Sequence, residues 1–248
     1  WAARLLALRV RAVEAWQRRL WPRAAMVWLS NPQDADLAPQ RALAVIPNIP
    51  FQLPPEAQLA PSADGARVVL WVGSFNHRVN LDGVDLFIES VWPKVVQRDP
   101  SLVFRIVGSH LPEAKKQQWM RAPQVEVGGF AASLDEHYAQ CAFSVVPLFD
   151  GAGTKIKVLE SLGHMRSCVV STHAIVGYDA LLRDDQSVLV ADWMDGLVEP
   201  IVRLANAPDL RHRLERHGRE VVLRQCGREA MFTGIAKALQ ALPGGRAP

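Results

Sequence analysis

Residues 143–163 read FSVVPLFDGAGTKIKVLESLG, and the parsing of this stretch decides the fold. The run from Phe143 to Leu148 is apolar and short, the length of one buried strand. Gly151 and Gly153 then break the chain, and a helical pattern follows that closes at Gly163. A buried strand feeding a glycine-rich turn and then a helix presents backbone N–H groups to an anion such as phosphate. Lys155 and Lys157 add positive charge at that turn, and Glu160 falls about one helical turn further in.

The flanking sequence repeats the alternation. Residues 68–72 form an apolar run ending at Gly73, residues 84–96 carry helical spacing, and residues 102–107 form a second run ending at Gly108. A third run, 125–127, ends at Gly128-Gly129. Ser133 and Glu136 have the spacing of a capping box opening a helix over 134–140. Strands at 142–148, 168–171 and 188–191 are predicted next, then helices over 194–206, 210–225 and 229–242. Such alternation implies an α/β fold: a Rossmann-like parallel sheet with helices on both faces. Ligands of these sheets bind at the carboxyl ends of the strands. That edge collects the turns Gly73 to Arg78, Gly108 to His110, Gly129-Phe130 and Gly151 to Lys155. A GxGxxG fingerprint and a Walker A motif are both absent.

Outside this block the signals are weaker. Residues 1–20 have apolar residues at helical steps with arginines between, and Pro22 ends the pattern. Up to residue 25 there are six arginines against Glu14 alone, whereas the whole 248-residue chain carries only +3. That charge is too local for a uniform nucleic-acid-binding surface. A basic amphipathic helix either packs on a neighbouring domain or lies on an anionic membrane surface. Residues 26–30 and 44–46 read as short strands. Pro50, Pro54, Pro55, Pro61 and Gly65 mark 49–65 as an interdomain linker. The boundaries expected are therefore 1–48, a truncated amino-terminal segment, then the linker, a main domain over 66–242 and a tail over 243–248. Cys141, Cys168 and Cys226 lack CxxC spacing, which fits reduced thiols rather than zinc or a disulfide framework. No apolar run approaches the length of a membrane span. Starting at Trp1, the chain is read as a fragment or a processed chain, residing in the cytoplasm or at the inner face of the membrane. Trp71, Trp92, Trp119 and Trp193 are assigned to packing.

The series VGSFNHRVN at 72–80, FRIVG at 104–108, VEVGGF at 125–130, VVPLFDGAGTKIKVLESLG at 145–163 and SVLVAD at 187–192 resembles the carboxyl-terminal, nucleotide-sugar-binding domain of GT-B glycosyltransferases. The nearest group is the retaining enzymes of bacterial polysaccharide and lipopolysaccharide assembly. The resemblance spans roughly residues 65–242, and VIPN at 45–48 resembles the hinge that closes their amino-terminal domain. It implies transfer of a sugar from a nucleotide diphosphate donor to a glycan or lipid-linked acceptor, without metal or other cofactor and without nucleic acid.

In that family two glutamates eight residues apart mark the donor site; the second holds the ribose and the first contacts the sugar. Glu160 matches the second, while Ala152 stands at the first. An arginine after the first-strand glycine and a lysine six residues on face the diphosphate in the family. Here those positions are Ser74 and Asn80. The resemblance therefore implies that Lys155 and Lys157, with Arg78, supply the charge. Gly73, Ser74 and the stretch Gly153, Thr154, Lys155, Ile156 and Lys157 would hold the diphosphate, Gly129 and Phe130 would lie beside the base, and Lys157 and Glu160 would serve catalysis. Fixed positive charge is what the reaction needs, because negative charge grows on the leaving phosphate. Competing readings remain for each residue. Both lysines could be solvated helix-start residues, Glu160 could form a structural ion pair, and His77 could face the donor or cap its turn. At the level of the protein, the alternatives are a nucleotide-sugar-binding module without catalysis and a GT-B sugar-nucleotide epimerase.

Overall fold

The computed structural model describes residues 2–37, 43–50, 52–151 and 153–242. They divide into two compact units, one of residues 49–227 and one that groups residues 1–48 with 228–248.

In the smaller unit the arginine-rich segment forms helix α1 (Ala2–Leu20). Its side chains Leu5, Leu6, Leu8, Val10, Val13 and Trp16 are exposed. Strand β1 (Val27–Leu29) pairs in parallel with β2 (Leu43–Val45). No described helix is long and apolar enough to cross a membrane.

The larger unit opens with β3 (Val68–Ser74), α2 (Arg78–Leu86) and α3 (Trp92–Arg98). Then come β4 (Val103–Ser109), α4 (Glu113–Trp119), β5 (Val125–Gly129), α5 (Asp135–Gln140) and β6 (Phe143–Val146). The remainder is α6 (Ile156–Gly163), β7 (Cys168–Ser171), β8 (Leu189–Ala191), α7 (Val198–Asn206) and α8 (Pro208–Cys226). The six strands make one sheet in the order β5-β4-β3-β6-β7-β8, every pair parallel. This is the α/β architecture expected of the alternating pattern. The chain then enters α9 (Arg228–Gln240), which clusters with the smaller unit. The main domain expected over 66–242 is thus shifted at both ends, to 49–227. Residues 243–248, the expected tail, lie outside the described residues.

Packing explains the departures from the sequence pattern. A single helix was expected over 84–96, but a π-helical turn, Phe87–Val91, separates α2 from α3. Pro93 sits in the first turn of α3 and has no N–H to donate, so the helix widens there rather than continuing its ladder. The turn points Phe87 at Trp92 and Phe104, with the Phe87–Phe104 centroids 4.9 Å apart and Trp92–Phe104 at 5.3 Å. All three rings are buried. The capping box does not form: Ser133 accepts the Asp135 N–H at 3.2 Å, and the Glu136 carboxylate accepts from Gln140 one turn along instead. Helix α4 carried no expectation. Trp119 at its end is buried and donates to Asp85 at 2.8 Å, so this short helix is held by packing rather than propensity. Trp71 and Trp92 are also buried, whereas Trp193, assigned with them to packing, is 63% exposed and lies against Gly196. All three cysteines are free and buried; burial pushes the Cys141 and Cys168 thiols up to about 12, which keeps them inert.

The proline-rich stretch expected as a linker is bound to the larger unit. Its prolines leave it without a strand partner, so its carbonyls need side-chain donors. Arg211 of α8, fully buried, donates to Ala63 O at 3.0 Å and Asp64 O at 2.9 Å, and to the Ser62 hydroxyl at 3.2 Å. Arg219 reaches Pro54 O at 3.1 Å, and Arg166 reaches Ala60 O at 2.9 Å. Arg211→Met leaves the Asp64 and Leu204 carbonyls without this donor at about 1–3 kcal/mol each, whereas Ala63 O keeps the Ala66 N–H, and a stability loss of about 2–5 kcal/mol is expected in urea unfolding. A loss under about 1 kcal/mol would show that the segment is held by other contacts.

Candidate functional site

The sheet order reverses between β3 and β6: β4 and β5 lie to one side of β3, and β6, β7 and β8 to the other. A crevice opens beyond the carboxyl ends of the two central strands at such a switch point. A cleft of about 380 Å³ lies there, within the size range of small-molecule sites. Its walls include Gly73 and Ser74 from the end of β3, and Thr154, Lys155, Ile156, Lys157 and Glu160 from the glycine turn and α6. His77 and Asn80, at the start of α2, line it as well. Seven of the eleven residues singled out for the donor are thereby brought together.

The cleft is organised around the Lys157 ammonium. It donates to Asn80 Oδ1 at 2.9 Å and sits 4.2 Å from the centre of the Trp71 ring, a cation–π distance. Asn80 is itself fixed, because its Nδ2 donates to Ser74 O at 2.7 Å and so turns Oδ1 toward the lysine. Gly73 makes the arrangement possible: a Cβ there would lie 2.6 Å from Lys157 Nζ and 2.8 Å from the Trp71 ring. Burial pulls the Lys157 ammonium down to about 7; Glu160 opposes that shift and Lys155 adds to it. The cation is therefore confined but readily neutralised, a property that marks functional lysines.

Glu160 lies on the same face of α6, half-buried. Burial raises its carboxyl above the ordinary 4.5, with His164 and Lys157 opposing. Among the described residues none donates a hydrogen bond to that carboxylate, while the Glu160 carbonyl accepts from the backbone N–H of His164 at 2.9 Å. The amino terminus of α6 has no side-chain cap, and its first residues, Ile156 and Lys157, line the cleft at the positive end of the helix dipole.

Lys155 is placed differently. It is 8% exposed and its Nζ donates back to Gly151 O at 2.8 Å and Gly153 O at 2.7 Å. Gly151 and Gly153 have φ of 97° and 77°, and a Cβ at Gly151 would also strike Val79 at 2.8 Å. Both positions thus require glycine. Arg78 leaves the group: it is exposed and pairs with Asp82 at 3.1 Å on its own helix. Gly129 and Phe130 lie outside the walls of this cleft, and Phe130 is 76% exposed. Gly153 contributes its carbonyl to Lys155 rather than a wall of the cleft. Ala152 lies outside the described residues.

Sequence reasoning missed three residues. Trp71 reads as core and is core, yet its ring also seats the cation. Asn80 looked like a mere departure from a pattern, and only the fold brings it to Lys157 on the facing helix. His173, whose Nε2 lies 2.7 Å from Gly151 O, carries no local signal at all.

The six-stranded parallel sheet with helices around it, reversing its order between β3 and β6, has the architecture of a GT-B Rossmann-like domain. The model of the family "Glycosyl transferases group 1" matches residues 66–207, and the chain belongs to that family. No curated protein matches it. Among solved structures, TarM of S. aureus superposes with a TM-score of 0.75 at 15% identity, over 88% of this chain and 44% of TarM. HepE of Anabaena in complex with UDP gives 0.72 at 13% identity, over 88% and 64% of the two chains. Sucrose-phosphate synthase of Thermosynechococcus elongatus gives 0.72 at 17%, over 95% and 62%. The chain thus spans between about half and two thirds of the length of these relatives in fold.

Proposed function

We propose that this chain carries the donor site of a glycosyltransferase, which takes a sugar from a nucleoside diphosphate and passes it, with retention, to a glycan or lipid-linked acceptor. The observation that carries the reading is the Lys157 ammonium held one helical turn from the unpaired Glu160 carboxylate, beside an uncapped helix terminus at the switch point. The α6 amides and Lys157 hold the diphosphate, Glu160 accepts hydrogen bonds from the ribose hydroxyls, and the base extends toward Gly129 and Phe130. When the bond from the anomeric carbon to the phosphate oxygen breaks, its electron pair stays on the phosphate. Lys157 and the helix terminus stabilise that charge where it forms. HepE, which shares the fold, has been crystallised with UDP and glucose together.

The acceptor and the rest of the catalytic machinery belong to the whole protein, since the chain spans only part of its relatives. The test is titration of the chain with uridine, guanosine, adenosine and cytidine diphosphates, followed by transfer assays on the full-length protein carrying Lys157→Met or Glu160→Gln. Tight binding of one diphosphate and loss of transfer in both variants are expected. Binding without any transfer by the unmodified full-length protein would point to a binding module. Release of free product without acceptor would point to an epimerase.

A further inference from the structure

We propose that Lys155 and His173 are positioning residues for the donor diphosphate: they hold the carbonyls of the glycine turn away from the anion so that its amides face the cleft. The inference rests on the donor-site reading above and assigns these two side chains a role that neither lysine charge nor helix dipole covers.

A phosphate-binding turn has an electrostatic problem. Each peptide that offers an N–H also carries a carbonyl oxygen with partial negative charge, and a carbonyl turned toward a diphosphate repels it. In this turn both glycine carbonyls are occupied. Gly151 O accepts from Lys155 Nζ at 2.8 Å and faces His173 Nε2 at 2.7 Å. Gly153 O accepts from the same ammonium at 2.7 Å. The Lys155 ammonium is thereby turned back on its own turn, and its charge is engaged by the turn's carbonyls.

His173 is as firmly placed. It lies in a short 3-10 turn, Thr172–Ile175, directly after β7. The Ser171 hydroxyl caps that turn by accepting the Ala174 N–H at 3.1 Å, and donates to Leu148 O, two residues beyond β6. The imidazole is therefore anchored to the sheet through the capped turn, and its Nε2–H donates to Gly151 O. Two donors from independent elements on one carbonyl make the turn pre-formed, so ordering it need not be repaid from the binding energy of the donor.

The test uses the 248-residue chain with Lys155→Met and His173→Phe, which remove the donors, and Lys155→Arg and His173→Gln, which keep them. Amide exchange over residues 150–156 of the ligand-free protein should quicken about tenfold or more in the Met and Phe variants, with β6 unchanged, as expected for loss of local hydrogen bonds worth about 1.4 kcal/mol. Affinity for the ribonucleoside diphosphate that binds the unmodified chain best should fall by about the same factor. Affinity for the parent nucleoside and the melting temperature should change little, and the Arg and Gln variants should recover most of the loss. Unchanged exchange, or an unchanged ratio of diphosphate to nucleoside affinity, would overturn the proposal, as would equal loss of both ligands. If the unmodified chain binds none of the four diphosphates, the donor-site reading itself falls and the proposal with it. Should Lys155→Met fail to fold, His173→Phe and His173→Gln decide the matter alone.

Discussion

Lys157→Met is expected to make the free protein more stable at neutral and acid pH and, in the same molecule, to weaken nucleoside diphosphate sugar binding by about tenfold to a hundredfold. The two effects have one origin. Burial pulls the ammonium from the ordinary 10.5 down to about 7. Between those values the unfolded chain binds a proton that the folded chain does not, so the unfolding free energy contributed by this group rises with pH. The penalty is therefore fully present at and below pH 7, is relieved as pH climbs toward 10.5, and is absent from the Met variant throughout. The gain from the substitution should be largest at pH 7 or lower and should vanish above about 10.5, in thermal melts taken across the range.

Binding runs the other way. A charge-assisted hydrogen bond to phosphate is worth about 1.5–3 kcal/mol, which sets the factor lost with the ammonium. In the unmodified chain the diphosphate favours the charged lysine, so binding above pH 7 must take up a proton and affinity should fall as pH rises through 7. A sugar nucleotide is the right probe, because each of its phosphorus atoms carries one ester and one anhydride bond and so has no weakly acidic proton to lose in that window. On the acid side affinity should fall again as Glu160 protonates, above the ordinary carboxylate range because burial raises it. A flat pH profile in the unmodified chain, or a Met variant that is less stable and binds as before, would make Lys157 a structural residue.

How much of this was legible beforehand follows from the range over which each signal acts. Strands β3, β4, β6 and β7 were readable because burial on both faces imposes continuous apolar runs, and glycines end the first two. The glycine turn and α6 were readable because local φ requirements and helical spacing are written in adjacent residues. The π-helical turn depended on how one proline meets a packed ring cluster, which periodicity does not encode. Residues 49–65 had the composition of a linker, and nothing local shows that Arg211, some 147 residues from Asp64, would claim their carbonyls. In the site, the positions of Lys157 and Glu160 were predictable, but the roles of the two lysines were not separable. Whether an ammonium bonds across the cleft or back to its own turn is decided by Asn80, Trp71 and Gly73 for one, and by the curl of the glycine turn for the other.

The two glycines that end β3 and β4 should separate fold from function. Gly73 and Gly108 are register partners in the parallel ladder, yet their surroundings differ. A Cβ on Gly108 would lie 2.0 Å from Gly73 O, a backbone atom fixed by the ladder, and 3.1 Å from the Phe75 ring. Neither can yield without prising the strands apart, so Gly108→Ala is expected to lose about 3 kcal/mol or more of stability, at the upper end of overpacking costs. At Gly73 the nearest obstacle is the far end of a flexible side chain, the Lys157 ammonium at 2.6 Å, followed by the Trp71 ring at 2.8 Å. Gly73→Ala should cost about 1–3 kcal/mol in stability for crowding the ring, and its larger effect should be on the donor, because the ammonium is expelled from its seat between Asn80 and the indole. The two substitutions then act on one interaction, and their effects should not add. Binding of a nucleoside diphosphate sugar by the double variant Gly73→Ala/Lys157→Met should be no weaker than by Lys157→Met alone. Full additivity in that cycle would mean that the alanine methyl blocks the ligand directly, and that the glycine serves the cleft's shape rather than the placement of its cation.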